Sequence, residues 1–248
     1  MRLQGKVAIV TGGGSGFGEG IVKKFVAEGA RVIIADRDGE SASRVAASFG
    51  DSCLAVTADV GKEADFARAA DAALSSFGRL DILVNNAGVA QAPQALETVT
   101  EELFDRIGAV NMKAIYYGAR VVVPHFKSKK YGVILNIAST AGVSPRPNLA
   151  WYNASKGWAI AATRAMAVEL APFGIRVNAV NPVAGETPML KTFMGTDTPE
   201  IRAKFLSTIP IGRFSTPEDI ANTTAFLCSD EASMITGVAV EVDGGRCI

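Results

Sequence analysis

Short, wholly apolar runs alternate along this chain with longer stretches of helical periodicity. Val7-Ala8-Ile9-Val10 contains no polar position, the pattern of a parallel strand covered on both faces. Arg31–Asp36, Cys53–Thr57, Leu80–Asn85, Val133–Ala138, Ile175–Val180 and Val238–Val242 read as further strands. Helices are predicted from the glycine-rich stretch after Val10 to about Gly29, then over Ser41–Phe49, Glu63–Phe77 and Trp151–Leu170. A long helix is predicted over Thr100–Phe126, with Thr100 as its N-cap, and two shorter ones within Thr187–Ser207 and Pro217–Ser229. Seven strands alternating with helices predict one α/β domain over residues 1–248. The expected architecture is a doubly wound Rossmann fold, a seven-stranded parallel sheet with helices on both faces. No stretch reads as a linker, a repeat or a low-complexity tract.

Composition narrows the possible partners. With 48% hydrophobic residues in 248 and a mean hydropathy of +0.22, the chain can bury one large core. The 25 acidic and 25 basic residues cancel, which argues against a nucleic-acid or anionic-membrane surface. The densest basic run, Lys127-Ser128-Lys129-Lys130, is expected to be a solvated helix end. Cys53, Cys228 and Cys247 form no CxxC pair and are expected as reduced thiols, two in the core and one near the tail. One histidine, His125, cannot build a His-based metal site or a Ser-His-Asp triad, so no metal is expected. Met1–Lys6 shows no signal-peptide pattern and no apolar run is long enough to span a bilayer. A cytoplasmic location is therefore expected.

The candidate chemistry sits at the ends of strands. Thr11–Gly18 lies between the first strand and the first helix with the spacing Gly12-x-x-x-Gly16-x-Gly18. Such a turn lets backbone approach a pyrophosphate, and the helix N-terminus supplies free N–H groups and positive dipole. Asp36 ends the second strand and can accept hydrogen bonds from the adenosine ribose hydroxyls while repelling a 2′-phosphate. That favours NAD over NADP, although the adjacent Arg37 can meet such a phosphate. Asn85-Asn86-Ala87-Gly88 and Ser139 close the fourth and fifth strands, where open α/β sheets bind ligands. Asn111 lies inside the long predicted helix despite poor helix propensity. Tyr152 and Lys156 are four residues apart and share one helix face. An ammonium beside a phenol should lower the tyrosine pKa from about 10.

Taken in this order, Thr11–Gly18, Asp59-Val60, Asn85–Gly88, Asn111, Ser139, Tyr152-x-x-x-Lys156 and Asn181-Pro182 through Thr187 resemble the short-chain dehydrogenase/reductase family over essentially the whole chain. The resemblance implies Tyr152 as general acid/base and Ser139 as the group that positions the substrate oxygen. It implies that Lys156 binds the nicotinamide ribose and lowers the tyrosine pKa, and that Asn111 holds a water linking Lys156 to solvent. Gly12, Ser15, Gly16, Phe17, Gly18, Asp36 and Arg37 would hold the cofactor. Asp59 and Val60 would contact adenine, Asn86, Ala87 and Gly88 the adenosine-side ribose, and Val183 and Thr187 the nicotinamide end. Two positions depart from the family pattern: Phe17 stands where Ile is usual, and Val183 where Gly is usual. A homotetramer with D₂ symmetry is implied, pairing the Thr100–Phe126 and Ala150–Leu170 helices with their symmetry mates.

The substrate is read from the segment covering the nicotinamide end, a small lid at about 187–210. Met189, Leu190, Phe193, Met194, Phe205 and Leu206 either line a pocket for a neutral, moderately hydrophobic alcohol or ketone or pack the lid onto the body. Ala90–Pro93 and Trp151 are further candidate walls. Arg146 is expected at solvent or an interface, with pairing to a substrate carboxylate as the alternative. The favoured function is an NAD-dependent dehydrogenase of a secondary alcohol or sugar alcohol. A 3-oxoacyl carrier-protein reductase, normally NADPH-linked, is the alternative, and a non-catalytic NAD-binding regulator is a third reading against which the intact Asn111, Ser139, Tyr152 and Lys156 set argues.

Overall fold

A computed structural model describes residues Met1–Ile248. Strands β1 (Val7–Thr11), β2 (Arg31–Asp36), β3 (Cys53–Thr57), β4 (Ile82–Asn85), β5 (Gly132–Ile137), β6 (Ile175–Pro182) and β7 (Ala239–Val242) form one sheet in the order β3-β2-β1-β4-β5-β6-β7. Every neighbouring pair is parallel. The order reverses between β1 and β4, which opens a crevice at their carboxyl ends.

Alternate strand residues face two cores. Ala8, Val10, Val32, Ile34, Val84 and Leu135 meet helices α1 (Gly16–Ala27), α2 (Gly39–Ala47) and α9 (Pro217–Cys228), and Val7, Ile9, Ile33, Leu83, Ile134 and Val177 point the other way. The second layer holds α3 (Glu63–Phe77), α5 (Ala114–Lys129) and α6 (Ala150–Leu170). A smaller cluster of Val183, Leu190, Met194, Ile209 and Phe214 stands apart and is the core of the lid. Cys53 and Cys228 are buried, Cys247 is half-buried, and all three are free thiols. No helix is long and apolar enough to cross a membrane.

Two predicted helices differ from the structure. Thr100–Phe126 is not one regular helix: α4 (Glu101–Ile107) passes through a π-helical turn at Gly108–Lys113 into α5. The wider turn carries Asn111, 3% exposed, into the sheet end, where its side chain finds partners that a regular helix would have placed elsewhere. Within Thr187–Ser207 there are two helices, α7 (Pro188–Met194) and α8 (Pro199–Leu206). Gly195, with φ of +71°, ends the first, and Thr198 caps the second by accepting from the Ile201 N–H (3.3 Å). The fourth strand begins at Ile82 rather than Leu80, because Asp81 turns its carboxylate onto the β1 backbone.

That carboxylate joins the two halves of the sheet at its amino-terminal edge. Asp81 accepts from the Val7 N–H (2.8 Å) and takes a forked pair of hydrogen bonds from Arg79 (2.7 and 2.8 Å). Asp81→Ala leaves the Val7 N–H buried without a partner and should lower unfolding free energy by about 2 kcal/mol; urea denaturation checks this, and an unchanged midpoint would refute it.

Candidate active site

The crevice is a cleft of about 570 Å³ that runs from β2 and β3 across β1 and β4 to β5 and the lid. The glycine loop forms its floor. Gly12 has φ of +64° and a Cβ there would come within 2.9 Å of Ala87 Cα, while a Cβ on Gly18 would collide with the Gly12 carbonyl. The turn is therefore as tight as backbone allows, and it presents the start of α1 to the cleft. Asn86 holds it in place: its Nδ2 donates to the carbonyls of Thr11 (2.8 Å) and Gly12 (3.1 Å). Asp36 supports the loop from β2, accepting from the N–H groups of Gly14 (2.9 Å) and Asp38 (3.0 Å) through different oxygens. Each oxygen keeps lone-pair capacity for a further donor. Arg37, Asp59, Val60, Ala87 and Gly88 also line the cleft, as do Ser15, Gly16 and Phe17.

The lid meets the loop directly. A Cβ on Gly16 would lie 3.3 Å from Thr187 Cβ, and one on Gly185 would collide with the Phe17 ring. The unusual Phe17 is thus accommodated by glycine at 185, and its ring props the start of the lid. Val183, at the other unusual position, is buried and faces the cleft; its backbone stays tied to Val242 O (3.3 Å). Of the lid side chains, Met189, Leu190, Phe193 and Phe205 line the cleft, whereas Met194 and Leu206 pack within the lid cluster. Leu190 and Phe205 do both, lining the cleft and packing in the lid cluster. Ala90 is a wall, but Trp151 is not: its indole donates to Leu96 O (3.3 Å) and stacks edge-on with Phe104. Arg146, half-buried, lines the cleft.

Ser139, Tyr152 and Lys156 converge at the inner end. The Tyr152 ring lies edge-on to Phe193 with centroids 5.1 Å apart. The Lys156 Nζ is 5.9 Å from the Tyr152 ring centroid and donates to Ile137 O (2.9 Å). Ser139 Oγ accepts from the Ala141 N–H (3.1 Å) and so faces the same pocket in a fixed rotamer. The expected lowering of the tyrosine pKa is corrected here. Burial pushes Tyr152 up to about 12, with the Ser139 hydroxyl pulling the other way. Burial also brings Lys156 down to about 8. Burial, not the neighbouring ammonium, therefore sets the direction of the phenol's shift.

Asn111 belongs to the same cluster, but its amide is spent on protein. Its Oδ1 accepts from the Val89 N–H (2.9 Å), and its Nδ2 donates to Val89 O and Ser155 Oγ (both 3.1 Å). It thereby joins the loop after β4 to α6. Two positioning groups were not legible in the sequence. Gln91, fully buried, accepts from the Tyr152 N–H (3.3 Å) and donates to Asn148 O (3.3 Å), clamping the first turn of α6. Asn136, inside the apolar β5 run, accepts from Asn85 and donates to Thr163 Oγ1 (both 2.8 Å). Its one signal was a polar residue in the middle of a buried strand.

The chain is similar to known oxidoreductases along its full length. A family model described as Enoyl-(Acyl carrier protein) reductase matches residues 12–246. The 4-formylbenzenesulfonate dehydrogenase of Comamonas testosteroni is 48% identical over 252 residues, covering 100% of both chains. The meso-2,3-butanediol dehydrogenase of Serratia marcescens is 38% identical, covering 99% of this chain and 96% of that protein. The crystal structure of a 3-ketoacyl-(acyl-carrier-protein) reductase from Brucella melitensis complexed with NADH superposes with a TM-score of 0.95 at 56% identity, over 99% of this chain and 100% of that one.

The buried ammonium has a testable cost. Its pKa lies below the usual 10.5, so up to about pH 8 the folded state carries the full penalty of a desolvated charge. Between about 8 and 10.5 the unfolded chain binds more protons than the folded one, and stability rises with pH. Lys156→Met should therefore be more stable than wild type at pH 7 without cofactor, with a lead that shrinks toward pH 10. Thermal melts across that range check it, and a lead that widens with pH would contradict it.

Proposed function

The chain belongs to the short-chain dehydrogenase/reductase family, whose members here act on CH–OH groups and their carbonyl counterparts, and from that premise we propose that it transfers a hydride between a secondary alcohol and NAD with Tyr152 as general acid/base. The observation that carries this reading is the single cleft that has the glycine loop and Asp36 at one end and Ser139, Tyr152 and Lys156 at the other.

The residues fit a dinucleotide. Backbone at Gly12, Ser15, Gly16, Phe17 and Gly18, with the N-terminus of α1 behind it, meets a pyrophosphate without side-chain obstruction. Asp36 offers its remaining lone pairs to the ribose hydroxyls, Asp59 and Val60 face the adenine, and Asn86, Ala87 and Gly88 border the adenosine ribose. Val183 and Thr187 border the nicotinamide end. When bound, the nicotinamide ring takes up or gives the hydride and, in its oxidised form, adds positive charge beside Tyr152. The NADH in the 56% identical neighbour supports NAD over NADP.

In the reducing direction the neutral phenol of Tyr152 is already the required donor, since burial keeps it protonated throughout the neutral range. It passes its proton to the carbonyl oxygen while Ser139 Oγ hydrogen-bonds the same oxygen as negative charge develops. Oxidation runs the same proton the other way and needs the phenolate, which positive charge on the cofactor side and on Lys156 favours. Asn111 serves as a positioning residue, holding the β4 loop against α6. The exposed apolar side chains of Tyr116, Trp158 and Val168 on α5 and α6 support a homotetramer built on those helices. A second reading, a 3-oxoacyl carrier-protein reductase that uses NADH, is favoured by the likeness to the 56% identical Brucella melitensis reductase; turnover of a 3-oxoacyl thioester against simple alcohols with both cofactors separates the two.

Tyr152→Phe removes the proton-transfer oxygen alone and should reduce kcat by about 10²- to 10⁴-fold, with NAD affinity retained; near-wild-type kcat would refute the mechanism. For the cofactor, wild type should prefer NAD by about a hundredfold in kcat/KM, a few kcal/mol of like-charge discrimination. Asp36→Ala should weaken NAD and improve NADP as Arg37 becomes free to meet the extra phosphate, and parity between the cofactors in wild type would show that Asp36 does not discriminate.

A further inference from the structure

The charges lining the cleft are unevenly placed. Its two carboxylates, Asp36 and Asp59, lie at the β2 and β3 end, and no acidic residue lines the β5 and lid half. Besides Arg37, beside Asp36, and Arg106 of α4, the cations that line the cleft are Lys156, held by Ile137 O and turned to the tyrosine, and Arg146.

Arg146 is built in rather than draped on the surface. Its own carbonyl accepts from Asn153 Nδ2 (2.7 Å), which ties the loop after β5 to the helical residue next to Tyr152. Its guanidinium carbon sits 4.5 Å from the centre of the Phe205 ring in the lid, a cation–π contact, and Nη2 donates to Thr208 Oγ1 (3.1 Å). No carboxylate lies within ion-pair distance of it, and Thr208 is the sole protein acceptor its side chain has. A half-buried guanidinium therefore keeps unused N–H donors at the cleft. A second cation, Arg246, adds to the field: it donates to Ser144 Oγ (3.0 Å), also lacks an acidic partner, and its Nε is buried without an acceptor. Burial and the charge of Arg246 both hold the Arg146 guanidinium below its ordinary pKa. Two like charges gathered without an acid are an unfavourable arrangement that an incoming anion relieves.

We propose that Arg146, backed by Arg246, is an anion subsite, and that the substrate carries a carboxylate or sulfonate beyond its reacting carbon. The ligand that fits is amphiphilic. Leu149, Met189, Leu190, Phe193 and Phe205 enclose an apolar body between Tyr152 and Arg146, with the reacting oxygen at Ser139 and Tyr152 and the oxyanion at the guanidinium. This rests on the oxidoreductase reading of the same cleft, and it replaces the neutral substrate that the apolar lid alone implies. Planar oxyanions match the guanidinium fork, and such charge-assisted hydrogen bonds are about twice as strong as neutral ones.

The test compares three ketones of one shape by calorimetry in the presence of NAD: 4-acetylbenzoate, 4-acetylbenzenesulfonate and the neutral 4-acetylbenzamide. At least one anion should bind wild type about tenfold or more tighter than the amide. Arg146→Met should bring that ratio within about twofold, and Arg146→Lys should keep part of it. Equal affinities in wild type, no binding of any probe, or a preference that survives Arg146→Met would overturn the subsite; the wild-type comparison stands even if a variant fails to fold. Turnover is read separately on the corresponding alcohols. Anion preference in binding with no NADH formed would uphold the subsite and remove the oxidoreductase reading, while NADH formation without anion preference would do the reverse.

Discussion

The arrangement on which this site depends is the burial of one ammonium group. Lys156 is 6% exposed, has no carboxylate within ion-pair distance, and relies on a single main-chain acceptor, Ile137 O. Desolvating a cation under those conditions is costly, and the cost appears as a pKa brought down to about 8. A flexible chain would let the side chain escape to water. Here it cannot, because α6 is pinned along its first turns. A Cβ on Gly142 would come within 2.7 Å of the Gly157 N and the Lys156 carbonyl carbon, so the loop after β5 packs directly on the helix backbone. Gln91 and Asn111 hold the same turns from the β4 side. Packing and hydrogen bonding from the sheet and its loops thus keep this ammonium beside Tyr152.

The polar groups beneath the site serve the same end. Asn85, Asn136 and Thr163 link β4, β5 and α6 through two 2.8 Å hydrogen bonds, and Thr163 returns to Ala159 O (2.8 Å). Such groups weaken a core unless each finds a partner. With partners, they fix the register between sheet and helix more strictly than Val or Leu would, because an amide accepts few orientations and a methyl group accepts many. Tyr152 and Ser139 come from different elements, so that register decides whether their hydroxyls meet.

The lid couples the two ends of the cleft. Its start is wedged against the glycine loop through Phe17 and Gly185 and through Gly16 and Thr187, and its far end reaches Arg146 through Phe205 and Thr208. A shift of α7 and α8 would therefore be felt both at the glycine loop and at the guanidinium.

Sequence alone determined the sheet, the glycine turn, Asp36 at the end of β2 and the Tyr152–Lys156 pair, because each rests on local pattern: short apolar runs for buried strands, four residues on a helix, glycine where backbone must close tightly. Tertiary structure decided what depends on distance and burial. Asn111 needed a π turn to reach Val89 and Ser155, since helix propensity marked it as odd without saying where it pointed. The sign of the tyrosine shift reversed, since neighbouring charge can be read from spacing but desolvation cannot. Arg146 proved to face the cleft because the loop after β5 folds back under Phe205, a contact between residues 59 positions apart that no periodicity records.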